Sequence, residues 1–361
     1  MKTISLGLLL PTSSILPVSK DFERGVKEGF RSQDTDITLE LVKEFIGQGS
    51  LKQTEEACSR FFNYHEVDAV TGVVSHKVAD DIADQFNKNK IPFIINELGS
   101  HIPNVGKLST YTHVNSMHLW QHAWAIGNWG VQNFGKKGMY VSSVYDSGYA
   151  FSQMFHTGMM HADANAQWSF SVTPMPPSGS LADVSVIFPY LESYQPDFVF
   201  ATFCGTETTL FLNECIARGW HKKTQFIGLP YLTSALETLH DDFTIHTTAS
   251  HYNNTAIEAN RAFYHLGYET GVLLAKAAAA GGNLNEQLQQ FHAGLKLANE
   301  QQTTMAGNYD MVITRNDIKA GQATHNVQEI ASLPGFEMEY HSMKSLVHEV
   351  NFGWMNPYLC V

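Results

Sequence analysis

Positive charge is scarce in this sequence. Its 361 residues hold 23 Lys and Arg against 35 Asp and Glu, a formal net charge of −12. With no block of like charges either, the chain is a poor partner for a nucleic-acid backbone. Cysteine is also rare. Cys58, Cys204, Cys215 and Cys360 are spaced for neither a zinc ribbon nor a CxxC redox pair. Cys58 and Cys215 read as apolar positions on helices, with a disulfide as the alternative. No segment reaches the ~18 uninterrupted apolar residues of a membrane span, so no direct membrane insertion is expected. GxxxxGK[ST] and GxGxxG are both missing, which leaves a phosphate cradle and a nucleotide cofactor without support, and no cofactor is expected. The GxSxG elbow of an α/β hydrolase is missing too.

What is present is ordinary globular composition, 43% hydrophobic and 16% charged, in a chain long enough for two domains. The opening MKTISLGLLLPTSS imitates a signal peptide, but its apolar run is short and Pro11 ends it like a strand-to-loop junction. Met1 is then either a native start, which implies a cytoplasmic protein, or stands in place of a removed signal, which implies a periplasmic one.

Periodicity predicts strands at Ile4 to Leu10, Thr38 to Phe45, Ala69 to Val74 and Pro92 to Asn96. Helices are predicted between them at Lys20 to Arg31, Lys52 to Phe62 and Val78 to Asn89. Alternation of this kind means a parallel sheet wound with helices on both faces. After LSTYTHV the pattern restarts. Helices are predicted at about Ser116 to Phe134, Tyr149 to Ala162, Ala182 to Tyr194 and Glu207 to Arg218. Strands fall at Met139 to Val144, Gln167 to Val172, Asp197 to Phe203 and Gln225 to Leu229. A restart implies a second lobe. The polar TTASHYNN (Thr247 to Asn254) reads as a connection between lobes, and a long Ala-rich helix, Asn260 to Ala280, stops at Gly281-Gly282. A third connection is expected near Gln322 to Asn326.

The expected fold is therefore α/β, two doubly wound parallel-sheet lobes joined by a three-strand hinge with a cleft between them. Lobe I takes residues 1–112 and 252–323, lobe II 113–251 and 324–361, with a C-terminal tail at 336–361. Ligands in such sheets bind where strands end and loops lead into helices.

Ser75-His76 sits at such an end. It can be a nucleophile beside its base, or a helix cap offering a hydroxyl and amides to an anion. Triad members normally come from separate loops, which disfavours the enzyme. His118 and His122, four apart in HLWQH, can share a helical face, but zinc wants three or four ligands and HExxH has no match here. No metal site is expected. The strand-end loops share one chemistry: Ser13 and Ser14; Ser75 and His76; Glu97, Leu98 and Gly99; Tyr145, Asp146 and Tyr149; Phe203 and Cys204; Tyr231. Hydroxyls and amides suit a carboxylate. Asp146 or Glu97 can balance an ammonium, and Tyr145, Tyr149, Phe203 and Tyr231 can enclose an apolar body. Any one Ser here can equally be a helix cap.

The order of units resembles the type I periplasmic binding proteins, in particular the leucine-isoleucine-valine branch that serves ABC transporters. The likeness is carried by LGLLLPTSS…FERGVKEGF, TGVVSHKVADDIADQFNKNKIPFIIN, the stretch from LSTYTHV to VYDSGYA, and PDFVFATFCGTETTLFLNECIARGWHKKTQFIG, and it runs to about Ile330. It implies a binding protein, not an enzyme, that captures a small polar organic ligand, an amino acid or related carboxylate, by hinge closure and delivers it to a membrane ABC permease. A cytoplasmic ligand sensor of the same fold is the alternative. The resemblance further implies that Ser75 holds the ligand carboxylate through its hydroxyl and that Leu98 and Gly99 complete the cradle. It places Tyr145 to Tyr149 with Phe203 and Cys204 on the second lobe's side of the ligand. Two positions depart from the pattern. Val18 stands where an aromatic lid is common, and the loop before Tyr231 has no acid for an ammonium.

Overall fold

The computed structural model describes residues 2–333 apart from 14–15, 103–107, 178–179, 235, 253–254, 292–309 and 323–324. These residues divide into two compact units, one of 2–118 and 261–291, the other of 119–260 and 310–333.

The first unit opens with β1 (Lys2–Leu10), α1 (Val18–Arg31), β2 (Ile37–Phe45), α2 (Leu51–Arg60) and β3 (Ala69–Val73). Two short helices follow, α3 (His76–Asp81) and α4 (Ala83–Asn89), then β4 (Phe93–Glu97) and β5 (Thr112–Ser116). The five strands pair in the order β2-β1-β3-β4-β5, all parallel. The helix expected over 78–89 is thus two helices, because Ile82 leaves helical geometry at φ −103, ψ 7.

The second unit contains α5 (Leu119–Phe134), β6 (Lys137–Ser142), α6 (Phe151–Ala162), β7 (Gln167–Val172), α7 (Phe188–Tyr194) and β8 (Phe198–Thr202). It continues through α8 (Thr206–Ala217), β9 (Gln225–Gly228), β10 (Phe243–Tyr252) and β11 (Thr255–Ile257). The chain then returns to the first unit as α9 (Ala262–Ala280) and α10 (Leu284–Phe291), and re-enters the second as β12 (Asp310–Ile318) and β13 (His325–Leu333). The second sheet runs β13-β12-β10-β9-β8-β6-β7, with β11 on β10. Its β10-β9-β8-β6-β7 part is parallel, while β11, β12 and β13 are antiparallel additions.

Both cores follow from the burial of strand interiors. Leu6, Leu8, Val70 and Ile94 are fully buried in the first unit. Val141, Val199, Phe203, Phe211 and Phe226 belong to one buried cluster in the second. Each fully buried aliphatic or phenyl side chain contributes roughly 1.5–3 kcal/mol. In the first unit α1 lies against α9 with backbones almost touching. A Cβ on Gly29 would sit 2.0 Å from the Tyr268 carbonyl oxygen, and one on Gly25 2.1 Å from that of Tyr264. Only glycine permits that approach.

Three expected boundaries move: the first unit runs to 118 instead of 112, the second to 260 instead of 251, and the second resumes by 310 instead of 324. β5 pairs with β4, so residues 113–118 stay in the first unit instead of opening the second. TTASHY, read as a connection, lies in β10 and is an interior strand of the second sheet. Part of its polarity is satisfied internally: Thr247 and Thr314 share a hydroxyl hydrogen bond of 2.9 Å, and Asn316 donates to the Ile245 carbonyl. The pairing of β12 with β10 carries residues 310–318 into the second unit instead of the first. The third connection falls partly, and the 336–361 tail wholly, outside the described residues.

Candidate functional site

In the first unit the predicted residues collect at the carboxyl ends of parallel strands, as expected. Ser13 follows β1, and its hydroxyl accepts from the Leu16 amide at 3.3 Å. Ser14 lies outside the described residues. Ser75 follows β3 and caps α3, with its side chain accepting from the Val78 amide at 3.4 Å. It is 1% exposed. Capping uses a lone pair and leaves the hydroxyl proton free to donate elsewhere. Capping and ligand binding are therefore compatible.

Glu97 ends β4 and is committed to His76. Its Oε2 accepts from the His76 backbone amide at 3.0 Å, and the ring Nδ1 of His76 lies 3.1 and 3.2 Å from the two carboxylate oxygens. Both residues are buried. Burial alone would raise the Glu97 carboxyl, yet the charge and hydrogen bonds of His76 draw it below its ordinary value. Burial alone would lower His76, yet Glu97 holds it above its ordinary value, with Asp80 and a backbone hydrogen bond to Ile102 adding to the effect. The pair is an internal ion pair, and His101 meets the His76 ring edge-on at 6.3 Å. This corrects the expectation that Glu97 stands ready for an ammonium.

Leu98 is fully buried, backbone and side chain alike. Gly99 has φ +78, and a Cβ there would fall 2.6 Å from the Cα of His118. The turn after β4 therefore requires glycine. Beneath these loops, Asn96 donates to Thr71 and to the Gly72 carbonyl, and accepts from Asn115 at 3.1 Å and Thr270 at 2.7 Å. That buried network ties β3, β4, β5 and α9 together and fixes the height at which the loops emerge.

In the second unit Tyr145, Asp146 and Tyr149 follow β6, Phe203 and Cys204 follow β8, and Tyr231 follows β9. Asp146, 5% exposed, receives no hydrogen bond and no ion pair at its carboxylate from any described residue. Burial, with the charge of Glu207 nearby, pushes its carboxyl well above the usual range. Burial also pushes the Cys204 thiol up, with Asp146 and Glu207 adding to it, and the Tyr231 phenol up, with Cys204 adding. These mutual influences bring Asp146, Cys204, Glu207 and Tyr231 into one neighbourhood. Glu207 was missed from sequence. It lies in the first turn of α8, two residues past Gly205, and its Oε1 accepts from the Ala182 amide at 3.2 Å. An acid two residues beyond a strand-end glycine was the available signal.

Below this cluster Tyr140, Ser142 and Thr202 form a buried hydroxyl set, with Thr202 at 3.0 Å from Tyr140 and 2.8 Å from Ser142. Burial, with Asp146 adding to it, pushes the Tyr140 phenol up to about 12 despite those hydrogen bonds. Phe203 belongs elsewhere. It is fully buried and stacks on Phe211 at 4.7 Å, so its ring is a core group and not a wall for a ligand.

The remaining candidates dissolve. His118 precedes α5 in a left-handed conformation (φ 52), so it shares no helical face with His122, whose ring is 3.1 Å from the Ser250 hydroxyl. Among the described residues no group of three or more His, Cys, Asp or Glu side chains can hold a metal ion. Cys58, Cys204 and Cys215 are free thiols. No described helix is long and apolar enough to cross a membrane.

A model of the periplasmic binding protein family matches residues 3–266. The chain belongs to that family, one of binding proteins. An ABC transporter substrate-binding protein from Sphaerobacter thermophilus superposes with a TM-score of 0.70 at 17% identity, covering 94% of this chain and 100% of its own. A solute-binding protein from Rhodopseudomonas palustris in complex with 3,4-dihydroxybenzoic acid gives 0.68 at 16% identity, covering 95% and 99%. A leucine-binding protein from Thermotoga maritima gives 0.64 at 17% identity, covering 91% and 98%. At these identities the likeness is one of fold. No curated protein sequence matches this chain.

Proposed function

We propose that the chain is the solute-binding component of an ABC transporter, located outside the cytoplasmic membrane and delivering its ligand to a membrane permease. Its ligand is a small polar organic molecule of the amino-acid type, engaged by strand-end loops and retained by hinge closure. Family membership supports the class. The observation that carries the ligand reading is Asp146, a buried carboxylate without a donor at the end of a parallel strand. Unpaired buried carboxylates are costly unless a partner arrives. A ligand ammonium is such a partner, and the free proton of Ser75 can serve a polar group on a ligand.

Binding can favour closure only by as much as the ligand prefers the closed state. A micromolar affinity corresponds to about −8 kcal/mol, within reach of a few charge-assisted hydrogen bonds and an enclosed body. Thermal-shift screening tests the reading. A true solute at 100 times its Kd stabilises the fold by ~2.7 kcal/mol, which raises the melting temperature. A broad set of amino acids, amines, amides and small acids that leaves the melting temperature unmoved would remove it.

A further inference from the structure

The loops at the carboxyl ends of the parallel strands contain no lysine and no arginine. Residues 11–17, 74–76, 97–102, 143–150, 173–180, 203–206 and 229–234 hold two carboxylates, Glu97 and Asp146, and two histidines, His76 and His101. In the first unit the amide at the start of α3 already has an anion. Glu97 occupies it, and holds the His76 ring as well. A carboxylate arriving from outside would have to compete with one built into the protein. In the second unit Asp146 is 95% buried without a donor, and Glu207 beside it spends one oxygen on the Ala182 amide. No positive group figures among the influences on Asp146 or on Cys204.

Resting on the solute-binding reading, we infer that this chain selects its solute by positive charge: the ligand is an organic amine or an amine-bearing zwitterion held at Asp146 and Glu207, and a carboxylate on it is dispensable. An incoming ammonium supplies the counter-charge that the Asp146 carboxylate lacks, and charge-assisted contacts of this kind are the strong ones. An anionic solute finds the opposite. The cluster of Asp146 and Glu207 offers it no cation, and entry would set its charge beside two acids. Among the described residues the titratable groups that interact with Asp146 are Glu207, Cys204 and Tyr140, none of them a cation.

The test uses the full chain and matched triads that share one body: an amino acid, the amine left on removing its carboxylate, and the acid left on removing its ammonium. Leucine, 3-methylbutylamine and 4-methylpentanoate form one triad; phenylalanine, phenethylamine and 3-phenylpropanoate another, with benzoate as a further anion. These are screened at pH 7.5 by thermal shift beside a wider library of amines and acids, and hits are titrated by calorimetry. Every hit is expected to bear an amine, with the amine of a binding triad within about tenfold of its amino acid and the acid not binding. Asp146→Asn is expected to weaken amine binding by about tenfold or more. Should that variant fail to fold, wild-type titrations in two buffers of different ionisation enthalpy replace it, and proton release on amine binding is expected. Hits confined to carboxylates, or a binding amino acid whose amine does not bind, overturn the charge inference and leave the solute-binding reading standing. No hit anywhere in the library overturns both.

Discussion

At the scale of single residues, the account turns on two carboxylates with opposite circumstances. Glu97 has its cation inside the protein, and Asp146 does not. Replacing Glu97 by Gln leaves the buried His76 without its counter-charge, which should cost ~3 kcal/mol or more in urea unfolding. The pair also sets a pH window. The lowered Glu97 contributes stability that is present above its ordinary value of 4.5 and lost as pH falls through its folded value. The raised His76 contributes stability that is present below 6.5 and lost as pH rises through its folded value. Wild-type stability minus that of Glu97→Gln should therefore be greatest between about pH 4.5 and 6.5 and shrink on both sides; a difference independent of pH would contradict the pairing. Ser75→Ala removes a cap and a donor together. It should cost ~1 kcal/mol of stability and several-fold in affinity by calorimetry, and unchanged affinity would take Ser75 out of the site.

The strand-end placement of these residues was legible in the sequence. An apolar run that stops at a Ser, Glu or Gly marks a loop, and loops at one end of a parallel sheet share a neighbourhood. What could not be read is pairing. Nothing in the chain order shows that Glu97 turns to His76, 21 residues away, while the charge beside Asp146 is that of another acid, Glu207. Phe203 was assigned to the ligand by position, but its ring turns into the core, because the side-chain direction at a strand's last residue depends on register.

At the scale of elements, hydrophobic period located the helices and strands through α8 well. It failed where polar residues are buried with partners. β10 carries Thr244 and Thr247, bonded across to Asp317 and Thr314 of β12, and Ser250, bonded to His122, and such β-branched threonines make an interior strand that hydropathy reads as a linker. Ile82 breaks a helix that periodicity joins. The close approach of α1 and α9 was invisible too, since a glycine in a helical pattern signals only a weak position until its neighbour is known. Gly29→Ala tests that contact. Its methyl would meet the Tyr268 carbonyl oxygen, so the helices must separate, at a cost of ~1–3 kcal/mol in chemical denaturation. A loss of only a few tenths, or a gain from better helix propensity, would mean that the helices yield freely.

At the scale of the whole molecule, the chain winds one α/β unit, then a second, returns to the first and re-enters the second. The C-terminal strands β12 and β13 enlarge the second sheet, so the chain re-enters the second unit by residue 310, earlier than the 324 its sequence suggested. If solute capture is the function, saturation with a solute found in the thermal-shift screen must change the arrangement of the units, and small-angle X-ray scattering of the full chain measures this directly. The account predicts a radius of gyration that falls when a tight-binding solute is added and returns when it is dialysed away. An unchanged radius at full saturation would contradict capture by closure.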